Sequence, residues 1–202
     1  FHLLMCTLTS RKPNSKDTFL DILEAPDKNT LIDYMLSRPI LIEQQGFLLV
    51  HAGIPPQWCK NEAFINAELV QNQLQSDNVD LFLSKMYSNE PTKWSNSLDI
   101  EQKSRYTINS LMRMRFCKSN GELEFSNKMN ADKEPKGYKA WFLHKNRILK
   151  NKEIVFGHWS TLKDIRSKNI YPLDGGCFWG DYLCALRLND RVQFSQKSIE
   201  SN

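Results

Sequence analysis

"LLVHAGIPPQW", residues 48–58, is the stretch that decides the fold prediction. It begins with three large apolar residues of the kind a sheet buries. His51 follows them directly, before a glycine and two prolines that end a strand. A second stretch, "EIVFGHWS", residues 153–160, repeats this order with an apolar run, Gly157 and then His158. The two patterns predict a histidine at the end of each of two buried strands, where a rigid scaffold presents side chains to loops.

The two strand-end histidines are candidate metal ligands, because neutral imidazole is the commonest metal-binding side chain. The alternative for each of them taken singly is an ordinary buried or capping histidine. Zinc sites use three or four protein ligands and harder cations use oxygen ligands, so two histidines alone do not complete a metal site. His144 and His2 lack the order of strand, histidine and glycine, and we interpret His144 as a surface or packing residue.

Length and composition indicate one globular domain. The chain has 202 residues, of which 41% are hydrophobic and 25% charged, as in ordinary globular proteins. Its 27 basic and 23 acidic residues are interspersed, so the net charge of +4 suits an anionic ligand but does not favour nucleic acid as a partner. No apolar run approaches the roughly 18 residues that span a bilayer, and we expect no membrane partner. Five irregularly spaced cysteines indicate reduced thiols and a cytoplasmic protein.

Helical and strand patterns are mixed along the chain, which predicts the α/β class. Apolar runs bounded by turn residues predict the strands, including one hairpin around residues 44–46 and another turned at residues 189–190. Residues 160–169 are predicted to form a short helix or a loop. Apolar residues recur with helical spacing in the other predicted helices, which are residues 1–8, 17–25, 29–38, 60–76, 77–87 and 101–117.

Three arginines in "SRYTINSLMRMRF" are candidate phosphate ligands. Arg105 and Arg113 are separated by about two helical turns and so share a helix face, whereas Arg115 is rotated away from it. The planar guanidinium matches phosphate oxygens bidentately. The alternative is a solvated basic face. Because the rest of this helix is apolar, we expect the arginines to point into a cleft.

Asp174 and the tryptophans are further candidates for lining a binding cleft. Asp174 precedes Gly175, and this pair is a strong turn signal, so a simple turn and a cleft-lining carboxylate are both open readings. Tryptophans lie near the loops that follow the two histidine strands. A nucleobase could stack on one of them, although core packing is the more common role of this side chain. They are Trp58, Trp94, Trp159 and Trp179.

Taken together, five motifs resemble a known family. Their order closely resembles that of the symmetrical bis(5'-nucleosyl)-tetraphosphatases, which belong to the calcineurin-like metallophosphoesterases of the phosphoprotein-phosphatase type. The resemblance covers nearly the whole chain. The motifs are "HAGIPPQW", "MYSNEPTKW", "RYTINSLMRMRFC", "FGHWSTL" and "YPLDGGCFWGDYLCALRL".

The resemblance implies a fold and a set of site residues. The fold would be a metallophosphoesterase β-sandwich flanked by helices, of the four-layer α+β type. His51 and His158 would be ligands of one metal in a two-metal centre that holds manganese or cobalt, while ligand chemistry alone also allows zinc or iron. The three arginines would lie on the polyphosphate side of the substrate, with Trp94 in the loop before them.

The sequence departs from the family pattern in one respect. The family's Gly-Asp-x-His-Gly, Gly-Asp-x-x-x-Arg-Gly and Gly-Asn-His-Asp/Glu motifs have no counterpart here. We therefore expect residues 1–202 to be the C-terminal portion of a single metallophosphoesterase domain that lacks its N-terminal part. The 202-residue chain alone is accordingly expected to be inactive.

The main functional hypothesis is a hydrolase that converts diadenosine 5',5'''-P1,P4-tetraphosphate into two ADP, with a dinucleoside polyphosphate as its substrate partner. One alternative is a serine/threonine protein phosphatase of the same superfamily. The "RMRF" context and the long segment at residues 60–90 speak against it. Another alternative is a non-catalytic nucleotide- or RNA-binding module, which the mild net charge makes weak.

Overall fold

The elements follow the predicted order in a computed structural model that describes residues 1–15, 17–163, 165 and 167–199. Within these residues the helices are His2–Leu8 (α1), Leu20–Glu24 (α2), Lys28–Ser37 (α3), Lys60–Leu74 (α4), Val79–Lys85 (α5) and Ile100–Arg113 (α6). The strands are Leu41–Gln44 (β1), Phe47–Val50 (β2), Phe116–Cys117 (β3), Leu123–Glu124 (β4), Lys139–Ala140 (β5), Glu153–Phe156 (β6), Ile170–Pro172 (β7), Tyr182–Arg187 (β8) and Val192–Lys197 (β9).

Local sequence patterns predicted most of these elements but not their ends. The helix predicted to start at residue 17 begins three residues later. The helix predicted over residues 101–117 stops at Arg113, and Phe116–Cys117 form strand β3 instead. The described part of residues 160–169 contains no helix, while Asp164 and Arg166 lie outside the described residues. The mixed α/β class is confirmed, and none of the described helices is long and apolar enough to cross a membrane.

A four-stranded mixed sheet in the order β1-β2-β6-β7 positions the site. β1 and β2 form an antiparallel hairpin whose turn residues, Gln45 and Gly46, both have positive φ, as the tight hairpin turn requires. β2, β6 and β7 are parallel, with Val50 opposite Phe156 and Phe156 opposite Pro172. The carboxyl ends of these three strands therefore meet at one edge of the sheet. The remaining sheets are three-stranded, β4-β3-β5, and the β8-β9 hairpin.

Buried tryptophans fill the core next to this sheet. Trp58, Trp141 and Trp159 are almost fully buried together with apolar residues of β2 and β6. Gly53 lies so close to Trp141 that an added Cβ would stand 2.7 Å from its Nε1. A second apolar cluster joins α1, α3, α4, α5 and α6. This packing fixes the ends of β2 and α6 relative to each other.

Helix α6 carries the arginines into the site. It begins with a capping box, in which the Gln102 N–H donates to Asp99 Oδ1 at 2.7 Å and the Gln102 side chain accepts from the Asp99 N–H. Its middle turns are buried on one face. The Ala52 N–H donates to the Leu111 carbonyl at 2.7 Å, which ties the end of α6 to the loop after β2.

Candidate functional site

His51 and His158 meet at the carboxyl edge of the parallel strands. Each follows a strand end that the register places at the same level, and the Gly157 N–H donates to the His51 carbonyl at 2.9 Å. Their imidazole centroids are 5.1 Å apart. His158 has a φ of 62°, a left-handed conformation that is uncommon for a residue other than glycine. Strained backbone of this kind occurs often at functional sites, because surrounding contacts must hold it in place.

Both imidazoles are held in the neutral form. The pKa of His158 is lowered to about 3, first because its ring is buried and then because Arg115 and His51 lie close to it. Partial burial is also the main reason that the pKa of His51 is lowered, while the Asp174 carboxylate opposes this shift. At neutral pH both rings therefore keep an unprotonated nitrogen that could bind a metal ion.

The pair fits two ligands of one metal ion. Nε2 of His158 is buried without a hydrogen-bond partner in the described part of the chain, and such an atom normally has one. The two rings are near enough to contact one ion. Across residues 1–15, 17–163, 165 and 167–199, however, no group of three or more His, Cys, Asp or Glu side chains could hold an ion. The two imidazoles are thus a ligand pair that no third His, Cys, Asp or Glu side chain of the described residues completes.

Arg113 reaches the histidine pair from the last turn of α6. Its Nη1 donates to Asn109 Oδ1 at 2.7 Å and its Nη2 donates to Asn89 Oδ1 at 2.9 Å. Asn109 is 1% exposed and donates in turn to the Ser88 carbonyl at 2.9 Å. Arg113, Asn109 and the two histidines line one cleft of about 310 Å³. Neutral amide partners orient the guanidinium without neutralising its charge, which leaves it available for an anion.

Arg115 also lies next to the histidine pair. Its Nη2 donates to the His158 carbonyl at 2.9 Å, and its Nε is buried without a hydrogen-bond partner among the described residues. Burial is the main cause that lowers its pKa, and the nearby Asp174 opposes this shift. The positive charges of Arg113 and Arg115 therefore both act on His158.

Arg105 is not brought to the pair by any described contact. Eight residues before Arg113, it lies about 12 Å along the helix axis from it. Its Nη2 forms an ion pair with Glu101 at 2.9 Å, one helical turn away. A role for Arg105 at the polyphosphate therefore stays a prediction, and its observed partner matches a partly solvated helix face.

Asp174 and Trp94 have different surroundings. Asp174 Oδ1 accepts the Gly176 N–H at 3.2 Å, as a turn residue does, and its charge also acts on His51 and Arg115. The turn is therefore observed, whereas a role of the Asp174 carboxylate in lining a binding cleft stays a prediction. Trp94 packs against Trp58 and another core ring, with centroids 5.1 and 5.4 Å away. That environment is a packing environment, and its substrate-binding role remains a prediction.

Two further side chains correct or extend the sequence interpretation. His144 is buried, with its Nε2 bonded to the Cys117 carbonyl at 2.8 Å, so packing is confirmed and a surface position is wrong. Asn109 was not recognised from the sequence. A polar residue four positions before Arg113 on an apolar helix face is the signal that could have identified it.

Curated relatives identify the family, although no family model matches the chain. The chain is 40% identical over 190 residues to the symmetrical bis(5'-nucleosyl)-tetraphosphatase of Cellvibrio japonicus strain Ueda107, covering 93% of this chain and 70% of the relative. It is 40% identical over 183 residues to the enzyme of the same name from Pseudomonas putida strain F1, covering 89% of this chain and 64% of the relative. It is 37% identical over 196 residues to the enzyme of the same name from Janthinobacterium sp. strain Marseille, covering 97% of this chain and 72% of the relative.

The chain belongs to the symmetrical bis(5'-nucleosyl)-tetraphosphatase family. It spans 64 to 72% of the length of the three relatives described above. Membership of this family confirms the resemblance drawn from the motifs and the hydrolase class. Neither the protein phosphatase nor the non-catalytic nucleotide-binding alternative is favoured by these relatives.

Proposed function

We propose that the site formed by His51, His158, Arg113 and Arg115 acts in the hydrolysis of diadenosine tetraphosphate to two ADP. The observation that carries this proposal is a pair of neutral strand-end imidazoles, with ring centroids 5.1 Å apart, close to the guanidinium groups of Arg113 and Arg115. Such a site suits the middle of a polyphosphate chain, which is rich in negative charge and in non-bridging phosphate oxygen atoms. The names of the relatives supply the substrate class.

Family membership implies a divalent metal ion, and His51 and His158 would each give it one nitrogen. We propose manganese or cobalt for this ion, and imidazole ligands also allow zinc or iron. When bound, the metal supplies Lewis-acid chemistry toward a phosphoryl oxygen. His158 keeps one unprotonated ring nitrogen over the whole neutral pH range, because its pKa is lowered to about 3.

The two arginines would bind the phosphoryl oxygens on which charge accumulates. Fixed cationic donors aimed at that charge lower the barrier, because they need no reorganisation during the reaction. Arg113 is fixed by Asn109 and Asn89, and Arg115 by the His158 carbonyl. Asp174 would hold Arg115 and His51 in place through its charge. Arg105 and Trp94 remain proposed contributors at the far end of the polyphosphate and the adjacent loop.

We also assign the chain to the metallophosphoesterase β-sandwich fold, with residues 1–202 as part of one domain. The parallel β2-β6-β7 unit, which carries both histidines at one edge, supports this assignment. The cysteine pattern supports a cytoplasmic location, since all five thiols are unpaired in this structure.

The proposed function is tested with a diadenosine tetraphosphate analogue whose central bridging oxygen is replaced by methylene. Calorimetry measures its binding to the chain with and without Mn²⁺. We expect Mn²⁺ to tighten binding by about tenfold or more in the wild type, because the metal contacts a phosphoryl oxygen. The effect should vanish in His51→Ala and in His158→Ala.

A matched control is His144→Gln, which keeps a donor for the Cys117 carbonyl and should show the full Mn²⁺ effect. A phosphoserine peptide or an RNA oligonucleotide that displaces the analogue at equal concentration would favour one of the alternatives. Any turnover of diadenosine tetraphosphate itself should give ADP alone. Formation of ATP and AMP would contradict symmetrical cleavage.

A further inference from the structure

Trp179 differs from the other tryptophans of the chain in its exposure. Trp58, Trp141 and Trp159 are each at most 1% exposed, and Trp94 is half-buried against two aromatic rings. Trp179, in contrast, is 66% exposed. Core packing therefore accounts for four of the five tryptophans but not for Trp179, whose ring contacts that of Phe178, itself 63% exposed, with centroids 4.9 Å apart. Adjoining exposed apolar groups of this kind mark a contact site for another molecule, whereas a single exposed apolar residue needs no explanation.

The exposed ring lines a cleft of about 710 Å³ beside the histidine pair. The cleft also contains Arg115, Lys128, Lys163 and Thr161. Arg115 donates to the His158 carbonyl, so this residue connects the lining of the cleft to the candidate metal site. Its volume lies in the range of small-molecule sites and can hold a nucleoside with its first phosphates.

Hydrogen bonds hold several residues that line the cleft in place. The segment at residues 128–130 is attached to the loop after β6 by three hydrogen bonds. Thr161 Oγ1 donates to the Lys128 carbonyl at 2.6 Å, and the Lys163 N–H donates to Asn130 Oδ1 at 2.9 Å. Trp159 Nε1 donates to the carbonyl of residue 129 at 2.9 Å. These bonds hold the backbone of Lys128 and Lys163 in place.

The loop that carries Trp179 is also fixed. Gly176 and Gly180 flank it in the left-handed conformation, with φ of 76° and 83°. The Trp179 N–H donates to the Gly176 carbonyl at 2.8 Å, and the Asp181 N–H donates to the same carbonyl at 3.0 Å. A ring presented on a tight, hydrogen-bonded turn loses little conformational freedom when a ligand stacks on it.

Three of the residues that line the cleft are cationic, namely Arg115, Lys128 and Lys163. In the part of the chain that the structure describes, neither Lys128 nor Lys163 has an ion pair within 4.0 Å. The acidic residue in the described lining, Asp181, is 3.5 Å from Lys197, which offsets its charge. Among the described residues, two ammonium groups without an ion pair and one guanidinium therefore line the same cleft as the Trp179 indole.

We infer that this cleft is a nucleotide subsite, in which Trp179 stacks on the base of one nucleoside and Lys128 and Lys163 bind its proximal phosphates. Arg115 then joins this subsite to the histidine pair, where the middle of the polyphosphate lies. The inference rests on the proposed function for the identity of the substrate as a dinucleoside polyphosphate. An aromatic wall beside cationic side chains is the usual combination for binding a base and its phosphate together.

The test measures ADP binding to the chain by calorimetry in the absence of divalent metal. Trp179→Ala should weaken ADP binding by about ten- to a hundredfold, the range for loss of one stacked base, whereas Trp179→Phe should keep most of the affinity. Lys128→Gln and Lys163→Gln should each weaken binding by about tenfold, as expected for one charged hydrogen bond to a phosphate. Control variants are Tyr34→Ala, which removes an equally exposed ring, and Lys150→Gln, which removes an exposed lysine elsewhere.

Fluorescence provides a second readout at the same ring. Acrylamide should quench mainly Trp179 in the free chain, and ADP should protect it. The protected component should be missing in Trp179→Phe. ADP affinity that is unchanged in Trp179→Ala, or absent in the wild type, would overturn the subsite.

These outcomes are separable from failure of the proposed function. ADP binding that depends on Trp179 but persists in His51→Ala, together with no Mn²⁺ effect on the methylene analogue, would keep the subsite and reject the proposed metal site. A Mn²⁺ effect that depends on His158, with ADP binding insensitive to Trp179, would support the metal site and reject the subsite.

Discussion

Acidification should destabilise the protein through His158 before most carboxylates titrate. In the folded chain the pKa of His158 is lowered to about 3 by burial and by Arg115, His51 and Arg113. In the unfolded chain the ring returns to its ordinary pKa of 6.5. Between these two values the unfolded state binds a proton and the folded state does not. The free energy of unfolding must therefore fall as the pH falls from 6.5 toward 3.

The size of this effect at pH 5 depends mainly on the unfolded pKa. At about 1.4 kcal/mol per pH unit, protonation at pH 5 of a group with a pKa of 6.5 stabilises the unfolded state by about 2 kcal/mol. The ring of His158 keeps some contact with solvent, which screens the charge in the folded state. We therefore expect about 1–2 kcal/mol of the stability present at pH 7 to be lost at pH 5 through this residue.

Urea unfolding at pH 7 and pH 5, with a chelator present, measures this loss. His158→Asn lacks the titrating ring, so its loss of stability between the two pH values should be about 1–2 kcal/mol smaller than that of the wild type. Lys150→Gln, a surface substitution that removes no histidine, should match the wild type. The reasoning is refuted if wild type and His158→Asn lose the same free energy of unfolding between pH 7 and pH 5.

Two other variants test the packing around the site. Gly53→Ala should lower the free energy of unfolding by about 1–3 kcal/mol, because its Cβ would stand 2.7 Å from Trp141 Nε1. The loss should be smaller in a Trp141→Phe background. An equal loss in both backgrounds would exclude this contact as the cause. Asn109→Ala removes a partner of Arg113 and should weaken binding of the methylene analogue about fivefold by calorimetry, since one hydrogen bond contributes about 1 kcal/mol, whereas unchanged affinity would show that Arg113 is positioned without it.

Local patterns in the sequence were sufficient to predict most elements. The apolar run before His51 and the turn at residues 44–46 identified the β1-β2 hairpin, because strand and turn preferences act over a few residues. The same patterns placed both histidines at strand ends. They did not give the parallel pairing of β2 with β6, since about a hundred residues separate these strands and the register depends on tertiary packing.

The arginines and tryptophans show where sequence reasoning stops. Helical spacing put Arg105 and Arg113 on one face, but their neighbours decide what each side chain contacts: Glu101 pairs with Arg105, whereas neutral amides hold Arg113. The exposure of Trp179 could not be predicted either, because tryptophan is mostly buried and only the tertiary structure shows which ring is not. For the same reason the sequence does not distinguish a surface position from a packed position for His144.

The central claim is that His51 and His158 hold the same metal ion. Long-range ¹H–¹⁵N NMR of the four histidine side chains, assigned with single-histidine variants and titrated with Zn²⁺ as a diamagnetic probe, tests it most directly. We expect the ring nitrogens of His51 and His158 to shift together and to reach saturation at one equivalent of Zn²⁺, while those of His2 and His144 stay in place. A shift of one ring without the other, or saturation of the two rings at different Zn²⁺ concentrations, would contradict the shared site.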